Sequence, residues 1–145
     1  MTTSDERLKE LKARLEKKHS LPKQKVGHYD IGGVDMFFRS KWEANYALYL
    51  NWLKKVSHIK GWEFEPEKFV FDKIQFGTRS YLPDFKVFNN DGTVEYHEVK
   101  GYMDPKSATK LKRMTKYFPE VKIVLIDKKP YYAIMRMFGK MLGFY

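Results

Sequence analysis

Apolar residues recur along the chain at different spacings, and each spacing predicts an element. Leu8, Leu11 and Leu15 form one stripe in an otherwise charged segment, so a helix is expected from Thr3 to about Lys18, opened by a Thr3–Glu6 capping box. The narrow stripe leaves two uses open, docking on a core or serving as an arm for a second copy or for nucleic acid. Leu21-Pro22 breaks the pattern, and residues 19–28 read as a linker. Tyr29–Ile31 and Val34–Phe38 flank Gly32-Gly33, the signature of a tight hairpin. Ser40 then reads as a helix cap with Glu43 three positions on. Trp42, Tyr46, Tyr49, Leu50 and Leu53 keep one helical face to about Val56.

From Trp62 the period shortens. Trp62 and Phe64 alternate with acids, Pro66 interrupts, and Phe69-Val70-Phe71 resumes an extended pattern. Tyr81–Phe88 and Val94–Lys100 read as two further strands joined by the turn residues Asn89-Asn90-Asp91-Gly92. Asp104-Pro105 opens a helix to Tyr117, which Pro119 ends. Val121–Ile126 reads as a nearly continuous apolar strand, more buried than its neighbours. Tyr131 to about Leu142 reads as a last helix. The central order is helix, three strands, helix, strand, which predicts an α/β fold on a mixed sheet. The expected division is a basic N-terminal helix and linker, 1–28, followed by one domain, 29–145.

Composition adjusts this picture in two places. The 145 residues include no cysteine, so disulfides, thiolate metal sites and thiol nucleophiles are excluded. No apolar run is long enough to span a bilayer and the N-terminus is charged, so a soluble, cytoplasmic protein is expected, with no membrane partner. The net charge of +10 is uneven: residues 1–27 carry +4, residues 28–99 carry −2 and residues 100–145 carry +8. Basic ends favour a polyanion such as nucleic acid. The acids kept in the middle oppose phosphate, unless they are salt-bridged surface or hold a divalent cation.

Those acids include Asp84, after Pro83, and Glu98, before Val99 and Lys100. Glu98 and Lys100 share one face of a strand, while Val99 points into the core. A three-residue loop Asn90-Asp91-Gly92, with Gly92 left-handed, makes facing residue numbers sum to 182 and sets Asp84 opposite Glu98. Opposed Cβ atoms lie about 4.5–5.5 Å apart, and two carboxylates so placed repel unless a cation joins them. A two-residue Asp91-Gly92 turn would instead pair Asp84 with Val99 and turn Glu98 to the other face. In the first register the donors are hard oxygens, which select Mg²⁺ or Mn²⁺ over zinc. The ion can supply an attacking water, with Lys100 orienting it and offsetting charge on phosphorus.

Asp84 and Glu98-Val99-Lys100 resemble the PD-(D/E)XK motif of restriction-endonuclease-like nucleases, whose α-β-β-β-α-β core is similar to the order read above. Phe38–Glu43, Tyr81–Phe85 and Val99-Lys100-Gly101 further resemble endonuclease I-type Holliday junction resolvases and small phage nucleases. The resemblance covers roughly residues 29–127. It implies that Asp84, Glu98 and the Val99 carbonyl hold the metal, that Lys100 assists the water, and that Glu43 completes the site. It implies a Mg²⁺-dependent DNA endonuclease acting on branched DNA, with a homodimer expected because a resolvase makes two symmetric cuts.

Each residue also has a plainer reading. Glu43 is a natural capping partner of Ser40, Asp84 a strand-start turn residue, and Glu98 with Lys100 a surface pair of little worth. Lys106, Lys110 and Arg113 share a helix stripe suited either to water or to a DNA backbone. Lys9 and Lys12 of the first helix, and Arg79 before the Asp84 strand, are further phosphate candidates. The wide apolar surface of Tyr131, Tyr132, Met135, Met137, Phe138, Met141 and Leu142 predicts core packing or a dimer contact. A non-catalytic nucleic-acid-binding protein on the same fold, or a structural basic protein, remains the competing expectation.

Overall fold

The computed structural model describes residues 4–10 and 26–145. Residues 4–10 are helical (α1) and exposed, including Leu8 at 54%. Thr3, Leu11, Lys12 and Leu15 lie outside the described residues, as does most of the expected linker. The glycine hairpin forms as expected. Strands β1 (Gly27–Ile31) and β2 (Val34–Phe38) pair antiparallel with Ile31 opposite Val34. Gly32 and Gly33 take φ of 61° and 89°, which a two-residue turn of this hand requires.

Helix α2 (Lys41–Lys55) starts where Ser40 stays extended and its hydroxyl accepts from the Glu43 N–H at 3.1 Å. Its face of Ala44, Tyr46, Ala47 and Leu50 is fully covered. The main sheet runs in the order β3 (Gly61–Phe64), β6 (Phe85–Phe88), β7 (Val94–Val99), β8 (Ile123–Ile126). The first three strands are antiparallel. β8 is parallel to β7, and helix α3 (Pro105–Tyr117) makes the crossover. Asp104 caps α3 by accepting from the Ser107 N–H at 2.8 Å, with proline at the first turn.

Strand alternation divides the core. Phe85, Val87, Val99 and Ile126 face α2 and helix α4 (Lys128–Leu142), where Tyr131 stacks on Trp42 at 3.9 Å. Tyr96 and Ile123 face the other way, towards α3 and a small hairpin of β4 (Phe69–Val70) and β5 (Ser80–Tyr81). Phe71, Tyr81 and Met114 centre this second cluster. The fold is therefore α/β, in the order helix, three strands, helix, strand, with the β4–β5 hairpin inserted after the first strand.

Three expectations need correction. Tyr81–Phe88 is not one strand: Tyr81 pairs with Phe69, and the chain turns at Leu82-Pro83-Asp84 before β6 begins. Proline has no N–H to give a ladder, so the break falls there. β8 is not more buried than its neighbours. It is an edge strand with only Ile126 buried and Leu125 at 36% exposure, whereas β7 is covered on both faces. The last helix begins three residues early, at Lys128, behind Asp127.

Its apolar surface is divided between two environments. Tyr131 and Phe138 pack on α2, while Met137 and Met141 are 72% and 62% exposed. Among the described residues, no helix is long and apolar enough to cross a membrane.

Candidate active site

The β6–β7 turn sets the geometry. The Asn89 N–H donates to the Thr93 carbonyl and the Gly92 N–H to the Asn89 carbonyl, with Gly92 at φ 87°. This is the three-residue loop, and the ladder keeps its register: Phe85 faces His97, Lys86 faces Tyr96 and Phe88 faces Val94. One step beyond the ladder, Asp84 comes to Glu98. Its carboxylate accepts the Val99 N–H at 2.8 Å, while its own carbonyl accepts the Glu65 N–H at 2.8 Å. Asp84 is thus fastened to the last residue of β7 and to the residue just past β3.

Glu98 is buried on the α3 face, and the Tyr81 hydroxyl donates to its Oε2 at 2.7 Å. The turn at Pro83 makes this contact: in an unbroken strand Tyr81 and Asp84 would sit on opposite faces. Glu43, one turn into α2, sends Oε2 back to the Arg39 N–H at 3.1 Å. Its capping reading is therefore correct as far as it goes, with Arg39 rather than Ser40 as the donor. Its charge is nonetheless felt at Asp84, and Glu98 and Glu65 are felt at Glu43.

Crowding shows in the acidities. Burial, then the Glu98 and Glu43 charges, push the Asp84 carboxyl up to about 8, against the Val99 N–H and Lys100. Burial raises Glu43, and the Glu98 and Glu65 charges add to it. Burial likewise raises Glu98, opposed by the Tyr81 hydroxyl and the Lys100 charge. Lys100 is half-buried just past β7, its N–H held by the Ile126 carbonyl, and its ammonium lies 3.7 Å from Asp104. Lys110 of α3 contributes positive potential at Glu98.

Among the described residues, no three His, Cys, Asp or Glu side chains already form a metal cage. Glu43, Asp84 and Glu98 each commit one oxygen to a protein donor. The donor chemistry nevertheless fits a hard divalent cation. All three are carboxylates, and two or more negative charges share a half-enclosed space that a cation would relieve.

Residues 23–134 match a family described as "Protein of unknown function (DUF1064)". The chain belongs to that family. The DUF1064 span holds Glu43, Asp84, Glu98 and Lys100, the whole main sheet and the first half of α4, and leaves out α1 and the second half of α4. No curated protein matches the chain.

The other predicted cations of this DUF1064 protein divide by use. Lys106 is exposed on α3 and Lys9 on α1, both open to a phosphate. Lys12 lies outside the described residues. Arg113 is half-buried and donates to the Thr78 carbonyl, and Arg79 donates to the Gln75 carbonyl, so both brace the β4–β5 loop. A guanidinium has five donors, so bracing uses part of that capacity.

Tyr81 and Glu65 belong to the site and were not expected from the sequence. Glu65 precedes a proline and sits at φ 45°, a strained conformation for a glutamate. The Glu65-Pro66 dipeptide was the available signal for it. His97 packs away from the site, between the Tyr46 hydroxyl at 2.5 Å and Glu95 at 3.0 Å.

Proposed function

We propose that this DUF1064 protein is a Mg²⁺-dependent DNA endonuclease that hydrolyses phosphodiester bonds, with branched DNA as its favoured substrate. The observation that carries the reading is the register that brings Asp84 to Glu98, with Lys100 beyond and the Glu43 charge within reach. Asp84, Glu98 and Glu43, with the Val99 carbonyl, would hold the ion. When bound, Mg²⁺ supplies an acidified water and neutralises charge on the phosphate.

The chain's own groups do the positioning. The Val99 N–H fixes the Asp84 carboxylate, and the Tyr81 hydroxyl fixes Glu98. Lys100 shares the Glu98 side of the strand, where an ammonium orients the water and meets charge developing on phosphorus. Lys106, Lys110 and Lys9 give the DNA backbone sequence-independent contacts. Junction cutting needs two symmetric cuts, so a two-fold dimer accompanies the proposal, and sedimentation would size it.

A second reading is favoured by one observation: all three carboxylates are already tied to protein donors, as suits a non-catalytic nucleic-acid-binding protein. The test is incubation of a four-way junction, linear duplex, single strand and RNA, each with Mg²⁺ or EDTA. Paired nicking of the junction is expected only with Mg²⁺. Glu98→Gln should abolish cleavage and keep binding. Equal degradation of duplex would remove the junction preference, and absence of Mg²⁺-dependent cleavage on every DNA form would leave the binding protein.

A further inference from the structure

Phe76 is 83% exposed, the most exposed of the large hydrophobic side chains among the described residues. A lone exposed apolar residue is ordinary. This one stands on a built support. The Phe71 N–H donates to the Arg79 carbonyl at 2.7 Å and the Ile74 N–H to the Phe71 carbonyl at 3.0 Å. Phe71 is buried, and Ile74 packs into the α3 cluster. Arg79 closes onto the Gln75 carbonyl, Arg113 reaches from α3 to the Thr78 carbonyl, and Gly77 turns the chain at φ 75°. The loop is thus stapled at both shoulders, with the ring standing at its tip.

The surroundings of the ring select its partner. Phe76 is flanked by Lys73, Gln75, Thr78 and Arg79, with Asp72 as the one acid of the loop. A lipid or protein surface would call for several adjoining apolar side chains, and here Ile74 is turned inward. An exposed flat ring on a loop that also carries Lys73 and Arg79 suits a planar, uncharged group carried on a polyanion, which is a nucleobase beside its phosphates. The loop runs directly into Tyr81, whose hydroxyl holds Glu98. Four residues lie between the two, so their Cα atoms are at most about 17 Å apart, or roughly five base steps of a strand.

We propose that the β4–β5 loop is a base-stacking platform, with Phe76 taking an unpaired or unstacked base of the DNA presented to the Asp84–Glu98 site. The proposal deepens the nuclease reading and rests on it for the nature of the substrate. A stacked base inside a continuous duplex shows no face to the ring, whereas a gap, flap or junction does. The platform therefore favours interrupted DNA.

The test measures binding by fluorescence anisotropy in EDTA, with three probes: a continuous duplex, the same duplex carrying a gap, and a four-way junction. Phe76→Ala should weaken gap and junction binding by roughly five- to 150-fold and duplex binding by less than about twofold. Phe76→Trp should restore the affinity, and its emission, as the difference from the wild type with its three tryptophans, should be quenched by gapped DNA. Wild-type affinity in Phe76→Ala, an equal loss on duplex, or an unquenched Phe76→Trp would each overturn the platform. Cleavage with Mg²⁺ is scored separately. Phe76-dependent binding without cleavage sinks the nuclease reading alone, and Mg²⁺-dependent cleavage by wild type, with no Phe76 effect on binding, sinks the platform alone.

Discussion

Raising the pH of metal-free protein from about 6.5 to 8.5 should lower its melting temperature. Asp84 has a folded pKa raised from 3.8 to about 8. The folded state therefore holds a proton that the unfolded chain has lost, and stability falls as pH rises through the window from about 4 to about 8. Some 1.5 units of that window lie above pH 6.5, which at about 1.4 kcal/mol per unit gives roughly 2 kcal/mol. Asp84 is only half-buried, so solvent screening is taken to halve this to about 1 kcal/mol, or about 3–4 °C for a domain of this size. The measured range begins at pH 6.5 on account of His97. Burial depresses its pKa below 6.5, so its contribution is lost as pH falls from there and does not act above it. The assay is a thermal melt followed by circular dichroism in EDTA. Asp84→Asn should flatten the slope, and excess Mg²⁺ should flatten it in the wild type by replacing the proton with a cation. A melting temperature that stays level or rises over this range in EDTA would refute the crowded-carboxylate argument.

Three further outcomes follow from named contacts. Tyr81→Phe removes the hydroxyl that holds Glu98 and should weaken Mg²⁺ binding about tenfold by calorimetry; unchanged affinity would deny Tyr81 its positioning role. Ser40→Ala loses the α2 cap and should cost about 1 kcal/mol in urea unfolding. Phe85→Ala, at a fully buried ring between Tyr46, Trp62 and Phe64, should cost about 3–5 kcal/mol by the same measurement.

Much of this was legible in the sequence because it is local. Ser40 and Asp104 announce their helices by cap chemistry within three residues. Asn89-Asn90-Asp91-Gly92 announces a turn but leaves two lengths open, and the three-residue form seen in the fold sets the register of Asp84 and Glu98. The unread parts depend on contacts distant along the chain. Tyr81 reaches Glu98 only because the strand breaks at Pro83, and strand parity read through that break puts it on the wrong face. β8 has the apolar run of a buried strand, but its exposure was set by the sheet order, which leaves it at an edge. Arg113 matched a phosphate-gripping stripe, yet the carbonyl it holds belongs to Thr78, 35 positions away. The double use of Glu43 was visible as two competing readings, and the fold gives it both the cap and the charge.

The three-residue turn at Asn90-Asp91-Gly92 acts as a ruler. Backbone hydrogen bonding alone is indifferent to which side chain faces which, but the core is not: one residue more or fewer would turn Phe85 and Val87 against the wrong layer. The meeting of Asp84 with Glu98 is not indifferent, because a single added residue turns one of them through the sheet. The length of this turn is therefore tied to the packing and to the carboxylate pair together, and a chain altered there would lose both.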